Sequence, residues 1–152
     1  MTVINKIMVA VDFSDFSVAA ARYAAKLARD VKATLLLTHV YNQRDVDMLN
    51  MVAMQVPDFS VKKYVGECTD EKKERLRELS EELSHDGGLS VETHLRIGVP
   101  YEALLREIDE GKPDLLVMGA KGRSNVIDMI LGSCAQKMFR HSPIPLLSIR
   151  NR

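Results

Sequence analysis

The sequence predicts an α/β protein, a Rossmann-like three-layer sandwich in which a parallel sheet is covered by helices on both faces. Three observations predict it. Apolar runs of strand length recur between segments of helical periodicity. The connections between them are short, so consecutive strands are joined by right-handed crossovers. The innermost runs are apolar throughout rather than alternating, as strands buried on both faces are.

Residues 6–11 (Lys-Ile-Met-Val-Ala-Val) place a continuous apolar run after one charge, the pattern of a central strand, and Asp12 ends it. Beyond it Phe16, Ala19, Ala20, Tyr23, Ala24, Leu27 and Ala28 recur at helical spacing, with Ser14 or Asp15 available as the cap and a stop near Asp30. Residues 33–41 read as the second strand. Between Asn42 and Cys68 the periodicity fades, and Met48, Met51, Met54 and Val56 stand among polar residues ahead of Pro57. A variable excursion with one short helix is expected there, its methionines packed against the helix that follows.

Residues 70–85 form a charged amphipathic helix with Leu76, Leu79 and Leu83 on the buried face, Thr69 as its cap and Gly87-Gly88 as its stop. Its charge run is a solvated face. Residues 89–97 alternate Leu89, Val91, Thr93, Leu95 and Ile97 on one side, which suits a strand with one face more exposed. Gly98 breaks that strand, Pro100 takes the first position of a helix through Ile108, and Gly111 lies beyond its end. Residues 114–118 make the fourth strand, 133–140 the last helix, and 144–149 the fifth strand after Pro143.

At 152 residues, 46% of them hydrophobic, the chain is expected to fold as one domain over its whole length, 1–152. Lys and Arg number 21 and Asp and Glu number 21, so no net field draws it to nucleic acid or to an anionic membrane. Aromatics make up 5% with no Trp, which disfavours a base-stacking surface. The N-terminal residues lack the features of a secretory signal and no apolar run reaches spanning length, so a cytoplasmic location is expected. Cys68 and Cys134 sit in neither a C-x-x-C nor a zinc-like cluster and read as free thiols.

In a doubly wound sheet the ligand lies outside the C-terminal strand ends, here Asp12, Val40, Ile97-Gly98 and Gly119. Directly after the fourth strand come Gly119-Ala120-Lys121-Gly122-Arg123, and later Gly132-Ser133 opens the last helix, with the spacing G-x2-G-x9-G-S. Glycines let backbone N–H groups approach phosphate oxygens closely, and a helix N-terminus is an anion site. A single such glycine is more simply a turn or a relief of crowding. Three of them at the ligand edge, beside a hydroxyl and two cations, favour a phosphate cradle. Neither a Walker A loop nor the dinucleotide fingerprint occurs.

With that glycine motif, and with the opening Lys6-Ile-Met-Val-Ala-Val-Asp12-Phe-Ser14, the chain resembles the universal stress proteins over its whole length. The resemblance implies a five-stranded sheet of order 3-2-1-4-5 and a homodimer formed through the last strand. It also implies ATP binding, since members that retain the motif bind ATP. Carried over, Ala10, Val11 and Asp12 would contact adenine and ribose together with Val40. Gly119, Ala120, Lys121, Gly122 and Arg123 would wrap ribose and phosphates, and Gly132, Ser133 and the backbone at Cys134 would hold the outer phosphates. With no protein carboxylate cluster to neutralise them, those phosphates would carry Mg or Mn between them. Ala10 stands where some relatives have proline and Cys134 where an aliphatic residue is common; neither change removes a backbone donor.

Other residues take plainer readings. Asp12 alone could be a turn cap, His39 reads as a satisfied core or dimer histidine, and His85, His94 and His141 read as surface residues. Cys134 reads as a packing residue before a redox sensor. A nucleotide-dependent stress or signalling module leads, because a phosphate cradle stands without a catalytic set. A slow ATP hydrolase or phosphotransferase, and a dimeric interaction protein acting through residues 42–68, remain the alternatives.

Overall fold

The computed structural model describes residues 3–120 and 133–150. Five parallel strands and five helices follow one another as β1 (Lys6–Ala10), α1 (Asp15–Val31), β2 (Thr34–Asn42), α2 (Gln43–Ala53), α3 (Val61–Ser84), β3 (Val91–Gly98), α4 (Pro100–Gly111), β4 (Leu115–Gly119), α5 (Ser133–His141) and β5 (Leu146–Ile149). The strands form one sheet of order β3-β2-β1-β4-β5, all neighbours parallel.

Side-chain alternation divides the core into two layers. Ile7, Val9, Leu35, Leu37 and Val117 turn toward α1 and α3, where Ala20, Ala24, Leu76 and Leu79 meet them. Met8, Leu36, Leu116 and Met118 turn toward α4 and α5, against Leu104, Ile108, Ala135 and Met138. Leu35, Leu36 and Leu37 are all fully buried. Each contributes about 1.5–3 kcal/mol of transfer free energy, so β2 owes its place inside the sheet to a run that is apolar on both sides. Asp114 locks the start of the sheet, its carboxylate accepting from the N–H groups of Asn5 and Lys6 at 2.8 and 3.0 Å.

Several boundaries differ from the sequence reading. The charged helix starts at Val61, capped by Ser60, whose hydroxyl accepts from Lys63 N–H at 3.2 Å. Thr69 lies in its interior, buried, its hydroxyl donating to Gly66 O at 3.1 Å. Gly66 does not stop the helix, because the inward stripe of half-buried Val61, Val65 and Cys68 and buried Thr69 continues to Leu76 at helical spacing. The short helix of the excursion is α2, which buries none of its residues. Its methionines do not pack away: Met48, Met51 and Met54 are 59, 69 and 87% exposed. Gly111 falls inside α4, which ends on Lys112 in the left-handed region, and β5 begins at Leu146 rather than at Ile144.

His94 is also not a plain surface residue. It pairs through Nδ1 with Glu107, a carboxylate on α4 that is 1% exposed. Arg96 Nε donates to the other oxygen of Glu107 at 2.6 Å, and Arg96 Nη2 reaches Glu110 at 3.0 Å. This group fastens the edge strand β3 to α4.

Candidate functional site

The turn from β1 into α1 is built by short polar side chains. Asp12 Oδ1 accepts from Ser14 N–H at 2.9 Å and from Ser14 Oγ at 2.5 Å. Ser14 is the N-cap of α1, accepting from Ser17 N–H at 3.2 Å, while Ser17 Oγ accepts from Asp12 N–H at the same distance. Asp12 therefore closes the turn with one oxygen, and its second makes no hydrogen bond among the described residues. Phe13, between them, has φ 64°, a conformation that costs a bulky residue of order 1–3 kcal/mol. The ring lies 4.8 Å from the His39 ring and 4.3 Å from the Arg75 guanidinium.

Beyond the strand ends, on the α4/α5 side, Ala10, Val40 and Cys134 are half-buried and pack against the same cluster. Thr38 lies opposite Ala10 in the ladder, and its hydroxyl is buried with no hydrogen-bond partner among the described residues. Ser133 is exposed at the first turn of α5. Burial pushes the Cys134 thiol up to about 11, the nearby charge of Asp12 adds to the shift, and Lys137 opposes it. The ends of β1 and β2 and the start of α5 thus meet at one cluster.

Two residues of the predicted set face elsewhere or are already engaged. The Val11 side chain is buried on the α1/α3 side; its N–H donates to Thr38 O at 2.8 Å and its carbonyl lies 2.7 Å from His39 Nδ1. Ala120 is buried and spends its N–H on Ile149 O at 2.8 Å. Gly119 has a packing reason for being glycine: a Cβ there would lie 2.9 Å from both the carbonyl carbon and the oxygen of Phe16. The missing side chain lets the first turn of α1 lie against β4. Lys121, Gly122, Arg123 and Gly132 lie outside the described residues.

Sequence reasoning passed over Thr38, Phe13 and the Glu107 group. A threonine in a leucine run was a signal for the first; the left-handed Phe13 and the Glu107 pairing left none in one sequence. Among the described residues no group of three or more His, Cys, Asp and Glu could hold a metal ion. Among them, too, no helix is long and apolar enough to cross a membrane.

A doubly wound parallel sheet of order β3-β2-β1-β4-β5 with helices on both faces defines a Rossmann-like α/β protein. Within that class, residues 4–150 match the universal stress protein family, and the chain belongs to it. Universal stress protein YxiE of Bacillus subtilis is 32% identical over 150 residues, covering 96% of this chain and 99% of that protein. The solved structure of MJ0577, a universal stress protein of Methanocaldococcus jannaschii, superposes with a TM-score of 0.81 at 22% identity, covering 99% of both chains. A universal stress protein in complex with cAMP has a TM-score of 0.66 at 24% identity and covers 98% of each chain. One from Archaeoglobus fulgidus in complex with dAMP also has 0.66, at 22% identity, covering 97% of this chain and 99% of that one.

Proposed function

We propose that this protein binds an adenine nucleotide, ATP in its fullest form, in the crevice at the ends of β1 and β2, and that it acts as a homodimeric stress or signalling module. The observation that carries the reading is the half-buried wall of Ala10 and Val40 with the orphaned Thr38 hydroxyl beside it. An apolar slot with a single unsatisfied polar group suits a planar heterocycle with hydrogen-bonding edges. The free oxygen of Asp12 suits a ribose hydroxyl. At the other end, the N–H groups of Ser133 and Cys134 at the start of α5 suit phosphate oxygens.

Lys121, Gly122, Arg123 and Gly132 complete the cradle in this reading, and Gly119 serves it by bringing α1 close. No carboxylate cluster stands at the helix start among the described residues, so Mg or Mn would be carried by the phosphates themselves. The cAMP and dAMP complexes of other family members support an adenine ligand. The four-residue β5 leaves an edge for a second copy to pair with, which supports dimerisation through the last strand.

Equilibrium dialysis with labelled ATP is expected to give saturable binding below roughly 1 mM, competed by dAMP and cAMP. Absence of saturation in that range overturns the reading.

Cys134 offers a second probe of the crevice. A thiol raised to about 11 carries roughly a hundredfold less thiolate at neutral pH than a free cysteine. Iodoacetamide should therefore modify it slowly, with a rate still climbing above pH 9, and ATP should slow it further. A rate that levels off by pH 8.5, or one indifferent to ATP, contradicts the placement.

A further inference from the structure

We propose that the outer edge of β3 is a docking strand for an extended acidic peptide, which adds to the sheet as a sixth strand. The proposal concerns the far edge of the sheet and does not depend on the nucleotide crevice.

The backbone supplies the first half. Leu35 N–H donates to Ser90 O at 2.9 Å, and Leu35 stands opposite Val91 in the ladder. In a parallel pair only alternate residues of a strand face a given neighbour. Glu92, His94 and Arg96 therefore turn their N–H and C=O groups toward β2, and Val91, Thr93, Leu95 and Ile97 turn theirs outward. β3 ends the sheet, so these groups form an open ladder eight residues long.

Side chains supply the second half. A cleft of about 400 Å³ runs along the C-terminal part of this edge, with Leu95 and Ile97 at its base and Thr69 and Ala103 in its walls. Lys73 of α3 stands on one side of the sheet and Arg106 of α4 on the other, and Arg96 also lines it. Among the described residues that line it, three are cations and none is a carboxylate. Arg96 is held by Glu107 and Glu110, but neither Lys73 nor Arg106 has an ion-pair partner among the described residues. Both are free to meet carboxylates. Ile97, 47% exposed, gives an apolar side chain somewhere to rest.

A strand laid along this edge would exchange main-chain hydrogen bonds with Leu95 and Ile97, which supply affinity without sequence preference. Its side chains would alternate between the α3 and α4 sides, so carboxylates on both faces would find Lys73 and Arg106. Charge complementarity thus selects an acidic segment over a basic or neutral one.

The test is a fluorescence anisotropy titration of the full chain at low salt with a labelled capped peptide, Glu-Val-Glu-Glu-Val-Glu. Saturable binding is expected, weakened at least about tenfold by Lys73→Glu with Arg106→Glu, and by N-methylation of alternate peptide amides. Slowed amide exchange at Leu95 and Ile97 in the complex accompanies it. No saturation, equal binding of the peptide with lysine in place of glutamate, or indifference to N-methylation overturns the proposal. A concentration-dependent dimer that Ile97→Pro abolishes also overturns it, because the edge is then the seat of a second copy.

Discussion

Glu107→Ala is expected to lower the unfolding free energy by about 2–3 kcal/mol, below the full cost of breaking a buried ion pair because its partners can regain water. His94 and Arg96 keep side chains 40% exposed, whereas the Glu107 carboxylate is 1% exposed. In a chain of this size the loss corresponds to a midpoint lower by roughly 5–10 °C. Glu107→Gln, which keeps the shape but not the charge, should lie between the two proteins. A thermal scan in which Glu107→Ala melts with wild type contradicts the account of how β3 is fastened.

The same group sets a pH dependence. Burial alone would raise the Glu107 carboxyl, but the hydrogen bonds from His94 and Arg96 outweigh it and hold the group below the usual carboxylate range. A carboxylate depressed in the folded state contributes stability that is fully present above its unfolded value, about 4.3, and lost as the pH falls through the folded value. The difference between wild type and Glu107→Ala should therefore shrink as the pH falls below about 4. A difference that grows as the pH falls below about 4 is the opposite sign.

Gly119→Ala is expected to cost about 1–3 kcal/mol, toward the upper end, because the added carbon meets main chain rather than a movable side chain. The clash, at 2.9 Å from Phe16 C and O, can be relieved only by shifting the first turn of α1. That turn carries the Asp12, Ser14 and Ser17 hydrogen bonds, so the variant should also bind nucleotide less well. Urea titration should show a lower midpoint with an unchanged slope. A fully stable Gly119→Ala protein means that α1 and β4 are not in contact at this position. Loss of binding in a Gly119 variant is accordingly no proof of a phosphate contact.

The parts of the fold that were legible in the sequence are those in which burial imposes a simple pattern. Leu35, Leu36 and Leu37, flanked by residues that favour strands, suit a strand covered on both sides, and Pro100 and Ser14 mark helix starts by their own chemistry. The first turns of α3 were not legible, because Gly66, Cys68 and Thr69 hold an inward stripe without looking apolar. Nor was the Glu107 group: His94 and Arg96 stand 13 and 11 positions from it, on another element, and only the packing of β3 on α4 joins them. The crevice lies between these cases. Asp12, Val40, Ser133 and Cys134 were named from motif and topology, whereas the free hydroxyl of Thr38 depends on what surrounds it in three dimensions.

The most direct test of the nucleotide-binding claim is a heteronuclear NMR titration of the isotopically labelled protein with ATP. Saturable shifts are expected for the Ala10 and Val40 methyl signals and for the Asp12, Ser133 and Cys134 amides, with Thr69 and Ile97 unmoved. Shifts confined to the β3 edge, or none at an excess of ATP, would contradict the claim.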